Sequence, residues 1–430
     1  GKGETINLLN EWMDPRLIST QAFGKCSDEE RERPRMWRYW RALPANGRIG
    51  ILFGSWYSDP IIGRVTGDFK TSELDHQIDE IVRFEKMLAH DGVVLLKFWF
   101  HLSKEKQQNR LKQLEKDPKT RWRVTEQDWE NFKHYDKYSR ISEHVLRETS
   151  TGEAPWVAVE GEDANYRSLT VGKLLLREIR KHLDLGAVKN DSSAIAPLLP
   201  PIDNLQLLDT LKLDKDYSKK DYEAELEKLQ GRLNLLTRHP DFNKHSIIAV
   251  FEGNDAAGKG GSIRRITAAL DARQYSIIPI AAPTEEERSQ PYLWRFWRHV
   301  PRKGRISIFD RSWYGRVLVE RVEGFLREPD WMRAYSEIND FEEQLIESGA
   351  IVVKFWLAIS QDEQLKRFKL REEIGFKRFK ITEEDWRNRN KWDSYVHAVS
   401  DMVERTSTDI APWTLVEANN KYYARIKILK

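Results

Sequence analysis

The chain has 430 residues, too many for one ordinary domain and enough for two or three. Its 71 Lys and Arg against 68 Asp and Glu leave a net charge of only +3, so any site for a polyanion must come from local clustering rather than a general positive field. No apolar run reaches the roughly eighteen residues of a membrane span, and the opening residues lack a charged-then-apolar signal segment.

The first passage, GKGETINLLNEWMDPR from Gly1, becomes legible at an offset of 257, where it falls on GKGGSIRRITAALDAR from Gly258. The single cysteine, Cys26, cannot form an internal disulfide, which suits a reducing cytoplasm. Next, PRMWRYWRALPANGRI from Pro34 falls on PYLWRFWRHVPRKGRI from Pro291, and ILFGSWYSDPIIGRV from Ile51 on IFDRSWYGRVLVERV from Ile308. The register continues without a gap through Lys97-Phe98-Trp99 on Lys354-Phe355-Trp356, Asp128-Trp129 on Asp385-Trp386, and Ala154-Pro155-Trp156 on Ala411-Pro412-Trp413. A repeat this long implies two homologous domains, expected at 1–185 and 205–430 with a linker over 186–204. Ser, Ala and Pro in GAVKNDSSAIAPLLPPIDNLQ mark that linker. The second copy has a strand ahead of its Gly-Lys and the first does not, so the polypeptide is expected to extend upstream of Gly1; intact-mass measurement would show it.

Leu226, Leu229, Leu233 and Leu236 stand at helical spacing and predict a helix from about Lys219 to Arg238. SIIAVFEG, GRISIFD and GAIVVKFWLAI then read as strands, each followed by amphipathic helical text. That alternation predicts a three-layer α/β domain with a parallel sheet covered on both faces.

FEGNDAAGKGGSI follows one strand and opens a helix, and Gly253 to Lys259 fits G-x-x-x-x-G-K. Such a loop turns successive N–H groups toward a phosphate at a helix N-terminus. Gly253, Gly258, Gly260 and Gly261 are the candidate cradle, and Lys259 would reach the transferred phosphoryl group. Gly260 stands where a Ser or Thr hydroxyl usually meets Mg²⁺, so metal binding should lean on Asp310, at the end of a strand, and on Asp255 inside the loop. Arg311 could clamp phosphate with its planar fork. On the helix QLKRFKLREE, Arg367 and Arg371 share a face, and Lys377, Arg378 and Lys380 follow Gly375, a hinge. The bland reading of that run is a solvated face; the sharper one is a cationic lid.

The two copies serve as a control on each other. Trp37/Trp294, Trp40/Trp297, Trp56/Trp313, Trp129/Trp386 and Trp156/Trp413 are kept in both, which points to packing rather than base stacking. Charge carried by the second copy is lost from the first, or at Arg316 reversed: Asp310-Arg311 faces Phe53-Gly54, Arg316 faces Asp59, Arg371 faces Leu114, Lys377 faces Thr120, Arg389 faces Phe132 and Lys421 faces Ala164. The first copy is thus expected to keep the scaffold without the active site, with Gly1-Lys2-Gly3 leaving room for residual anion binding.

GNDAAGKGGSI, PYLWRFWRHVP, IFDRSWYGRVLVERV, KRFKITEEDWRNRNKWDSYV, ERTSTDIAPW and EANNKYYAR together resemble the second family of polyphosphate kinases. The resemblance covers the second half and, in decayed form, the first. It implies tandem thymidylate-kinase-like P-loop domains that transfer a phosphoryl group between inorganic polyphosphate and a nucleotide. Mg²⁺ is the implied cofactor, with Mn²⁺ as an alternative. The fused form with a decayed first half implies AMP as acceptor and ADP as product. Asp255, Lys259, Asp310 and Arg311 match the positions the family relies on, and Arg316, Arg321, Arg367, Arg371, Lys377 and Lys380 fit its basic walls and lid. The absent hydroxyl after the loop lysine is a family trait.

The rival readings are a polyphosphate kinase acting on ADP or GDP, an ATP-driven nucleoside monophosphate kinase, an idle phosphate-binding scaffold, and a nucleic-acid binder. The low net charge and the recurrence of the Arg-Trp stretches in both halves speak against the last. Neither nucleic acid nor a membrane is expected as a partner, and a homodimer of two-domain chains is left open.

Overall fold

Short runs rich in β-branched and aromatic residues form parallel strands in both halves. A computed structural model describes residues 1–184, 207–375 and 381–430. The expected linker, 186–204, and Lys377, Arg378 and Lys380 of the expected lid lie outside the described residues.

The described residues of Gly1–Lys25, Ala42–Ser192 and Glu286–Tyr292 form one contact unit, and those of Cys26–Arg41, Ser193–Glu285 and Leu293–Lys430 the other. Each unit therefore counts one short segment from the other copy. Inside the second unit the repeat mates Trp40 and Trp297 stack with ring centroids 5.6 Å apart.

In the second unit the strands are β5 (Ser246–Gly253), β6 (Tyr275–Pro279), β7 (Ile306–Asp310), β8 (Ala350–Ala358) and β9 (Trp413–Glu417). They form one sheet in the order β6-β7-β5-β8-β9, with every pair parallel. Strand β5 lies at the centre, which is why SIIAVFEG is nearly all apolar. The chain leaves β5 toward β6 and leaves β7 toward β8, so the direction of winding reverses between β5 and β7. Open α/β sheets bind ligands at the carboxyl ends of such a pair. Here those ends carry Gly253 and Asp310.

Both faces are covered. Ile308 packs with Phe251, Leu357, Ile263 and Ala424 in one buried cluster. The next residue, Phe309, points to the other face, where it meets Trp313 with ring centroids 5.2 Å apart. Each of the Ile, Leu and Phe side chains contributes about 1.5–3 kcal/mol by leaving water. The expected helix forms over Lys219–Arg238, its Tyr222 and Leu229 buried and its Leu236 exposed.

The first unit has β1 (Ile18–Ala22), β2 (Ile49–Phe53), β3 (Lys97–His101) and β4 (Trp156–Glu160), paired as β1-β2 and β3-β4. At the offset of 257 these are the mates of β6, β7, the end of β8, and β9, in the same register. Between β2 and β3 no strand stands in the place of β5 among the described residues; positions aligned with β5 fall before Gly1.

A buried network recurs in both units and explains why Ser-Trp-Tyr and Lys-Phe-Trp are written twice. Lys354 Nζ donates to Glu342 Oε2 at 2.7 Å, Tyr314 Oη at 2.9 Å and the Thr406 carbonyl at 2.7 Å. Lys97 makes the same bonds to Glu85 at 2.7 Å, Tyr57 at 3.0 Å and Thr149 at 2.7 Å. Trp313 and Trp56 donate to the remaining oxygen of their respective glutamates at 3.0 and 2.9 Å.

Candidate functional site

The loop after β5 forms because glycine stands where no side chain fits. Gly253 has φ of +148°, and a Cβ there would lie 2.5 Å from the Leu357 carbonyl. Gly258, with φ of +109°, caps the helix Lys259–Thr267. The first hydrogen-bonded turn begins with Gly261 and Ser262, which both donate to the Gly258 carbonyl. The N–H groups ahead of them open toward the loop, as the unpaired donors of a helix start do. Gly260 has open space around it, and a Cβ on Gly261 would meet the Arg425 guanidinium at 3.2 Å. Ser262, in the first turn of that helix, is buried.

Lys259 folds back over the loop, its Nζ donating to the Gly253 carbonyl at 2.6 Å. Burial pushes its ammonium below the usual lysine value, and Asp255 pulls it back up. Arg311 Nη2 donates to Asp255 Oδ1 at 3.2 Å, and its Nη1 lies 3.9 Å from Glu384. Burial alone would lower the Arg311 value, but Asp255, Glu252 and Glu384 outweigh it and hold the guanidinium above its usual value. Asp255 is pinned further by Asn388, whose Nδ2 donates to Oδ2 at 2.9 Å. Asn388 Oδ1 in turn accepts from Tyr395 Oη at 3.2 Å.

Arg311 and Ala256 are the non-glycine residues with positive φ among the described residues, at +65° and +64°. Both lie in this site. Left-handed backbone costs such residues about 1–2 kcal/mol each, a strain that gathers where geometry is held for function.

The sequence-predicted residues divide by what surrounds them. Asp255, Lys259, Asp310 and Arg311 come together at the carboxyl ends of β5 and β7; Asp310 and Asp255 both act electrostatically on Lys259. Arg371 is half-buried between Asp385, Arg367 and Asp255, and its burial lowers the guanidinium below its usual value. Its side chain makes no hydrogen bond among the described residues, which leaves its donors for an anion. Arg316 sits 4.0 Å from Glu320. Arg321 faces elsewhere: it pairs with Asp401 at 2.7 Å, donates to Tyr335 at 3.0 Å and lies over the Trp331 ring at 4.2 Å. Arg367 is wholly engaged with Glu363 and four backbone carbonyls. Arg389 bonds the Gln361 carbonyl at 2.6 Å and Gln364 at 3.1 Å, tying two helices.

Sequence reasoning missed Glu252, Ser312 and Asn388. Glu252 is buried at the end of β5, accepts from Ser312 Oγ at 2.8 Å and faces Lys259 and Arg311. Burial pushes its carboxyl up, against the pull of Lys259. A lone carboxylate inside the apolar run VFEG was the available signal. Ser312 and Asn388 recur as Ser55 and Asn131, so comparison of the copies hid them.

As for a metal, no group of three or more His, Cys, Asp or Glu is arranged to hold one among the described residues. Mg²⁺ commonly takes one or two carboxylates and completes its shell with water and phosphate. Asp310 fits that role, since its carboxylate makes no hydrogen bond or ion pair among the described residues. Asp255 fits less well, because Arg311 and Asn388 take both its oxygens.

Comparison with known proteins gives a family and close relatives. The sequence model of the family described as Polyphosphate kinase 2 (PPK2) matches residues 1–184 and 216–430. A polyphosphate:AMP phosphotransferase of Pseudomonas aeruginosa is 59% identical over 430 residues, all of this chain and 87% of the relative. One from Acinetobacter johnsonii is 40% identical over 435 residues, covering 100% of this chain and 87% of its own length. A crystal structure of a polyphosphate kinase 2 from Pseudomonas aeruginosa PA01 aligns with TM-score 0.88 at 56% identity, over 100% of this chain and 85% of that one.

Proposed function

The chain belongs to the polyphosphate kinase 2 family, and from that premise we infer that it transfers a phosphoryl group from inorganic polyphosphate to AMP, giving ADP. The observation that carries this reading is full-length similarity, across both copies, to relatives named polyphosphate:AMP phosphotransferase.

We propose that the chemistry resides in the second unit. The residues expected there need only align two anions and neutralise them, because phosphoryl transfer asks little covalent work of a protein. Lys259 would leave the Gly253 carbonyl for the end phosphoryl group of polyphosphate. Arg311, steadied by Asp255 and Glu384, would orient the AMP phosphate as nucleophile. Arg371 and Arg316 would line the path of the polymer, with Lys377 and Lys380 as lid cations. Gly253, Gly258, Gly260 and Gly261 let the backbone approach phosphate closely. A divalent cation, Mg²⁺ or Mn²⁺, would offset phosphate charge when bound, held by Asp310.

The first unit, with Phe53-Gly54 in place of Asp310-Arg311, is proposed to be catalytically inactive. No helix among the described residues is long and apolar enough to cross a membrane. A reducing cytoplasm and a homodimer of two-domain chains complete the proposal; light scattering tests the latter.

The test is a donor-and-acceptor matrix: AMP or ADP as acceptor, long-chain polyphosphate or ATP as donor, with product read by chromatography. ADP formed from AMP and polyphosphate supports the reading. ADP formed from AMP only when ATP is the donor would replace it with an ordinary monophosphate kinase.

A further inference from the structure

We propose that Arg367 is a positioning residue that fixes the phosphate-binding loop and does not itself touch polyphosphate. The proposal rests on the phosphotransfer reading above and deepens it.

Every nitrogen of this guanidinium has a protein acceptor. Nη1 donates to the carbonyls of Ala256 at 3.0 Å and Ala257 at 3.1 Å, both inside the loop. Nη2 donates to the carbonyls of Ala418 and Asn419, each at 2.8 Å, in the segment after β9. Nε is held by Glu363 Oε1 at 2.7 Å, one helical turn back. One planar fork therefore joins two separate backbone segments to the helix Gln361–Glu373. A phosphate approaching Arg367 would have to displace bonds already made.

The geometry of the joined peptides gives the arrangement its purpose. A trans peptide points its C=O and N–H in opposite directions within one rigid plane. Fixing the Ala257 carbonyl thus turns the Gly258 N–H away from Arg367. Ala256, the residue before, is kept in left-handed backbone at φ +64°. Without an outside restraint that peptide would relax toward an ordinary conformation, and the donors of the loop would turn with it. Asn419, whose backbone carbonyl is one of the four, is itself tied down, since its side-chain Oδ1 accepts from the Ser360 N–H at 2.9 Å.

Arg110 occupies the Arg367 position in the first copy, where Arg371 has become Leu114. The Gly161 carbonyl, mate of Ala418, accepts there from Arg167 rather than from Arg110, so the fork's bonds belong to the second unit.

The experiment compares R367A and R367K with R371A, using AMP and polyphosphate across a salt series, after thermal unfolding confirms that each variant is folded. For R367A, kcat is expected to fall about 100-fold, the scale of a misplacement near 1 Å, with KM for polyphosphate and its salt dependence unchanged. R367K should not rescue, because a single ammonium cannot span four carbonyls and a carboxylate as the fork does. R371A, by contrast, should raise KM for polyphosphate and flatten its salt slope by about one phosphate contact. The proposal is overturned if R367A raises KM and flattens the slope as R371A does, or if R367K turns over at the wild-type rate. A wild-type protein that makes no ADP from polyphosphate would instead remove the functional reading beneath it.

Discussion

Arg311 and Gly54 occupy the same position of the repeat and the same left-handed backbone, with φ of +65° in both. The fold demands this turn after β2 and β7 alike. The first copy meets the demand with the residue that adopts it freely, whereas the second holds an arginine there against its steric preference.

That pairing predicts opposite effects of R311G on stability and activity. Removing the Cβ should leave stability unchanged or raise it by about 1 kcal/mol, by relieving the strain. Turnover should fall about 10²- to 10³-fold, as when one preorganised charge is deleted. Denaturant unfolding and ADP formation measure the two. An R311G protein with wild-type turnover would show the strain to serve something else.

Lys259 and Lys2 are likewise repeat mates. K259A should lower kcat by about 10²- to 10³-fold, because the transferred group loses its cation. K2A, beside Phe53 rather than Asp310, should leave turnover within twofold or so of wild type. Equal losses from both would place chemistry in the first unit as well.

Burial of Glu252 raises its carboxyl above the ordinary value of 4.5. The folded state therefore holds this proton over a pH range where the unfolded chain has released it. Stability falls as pH rises through that window, at up to about 1.4 kcal/mol per pH unit from this one group. E252Q keeps an acceptor for Ser312 and removes the ionisation, so its stability relative to wild type should grow from pH 4.5 upward. Urea unfolding of both proteins between acid and neutral pH would reveal it; parallel curves would mean that Glu252 titrates normally.

The twin lysines give a control that is purely structural. K354M and K97M each strand a buried glutamate, and each should destabilise by about 3–5 kcal/mol. Unfolding of the two units, followed by tryptophan fluorescence, should register a loss for either variant. A change confined to K354M would mean that the first network contributes nothing to folding.

Much of the fold was legible because repetition and period are one-dimensional. Strands β5, β7 and β8, the helix Lys219–Arg238 and the loop Gly253–Lys259 follow from apolar runs, leucine spacing and glycine placement. The candidate phosphate-binding cations were harder, because a charged residue on a helix reads the same whether it meets phosphate, a carbonyl or water. Arg321, Arg367 and Arg371 look alike in sequence. Only their neighbours separate them: Asp401 and Tyr335 for the first, four carbonyls for the second, no hydrogen-bond acceptor among the described residues for the third.

The sequence by itself determined that two α/β units share one plan and that only the second keeps Asp310 and Arg311, since residue identity at matched positions needs no coordinates. The tertiary structure decided which cations remain available to a ligand and which hold the scaffold. It also brought Glu252 and Asn388 to the loop. The reason is physical: a side chain's charge is set by its chemistry, but its freedom to act depends on donors and acceptors contributed by distant segments, and chain folding alone assembles them.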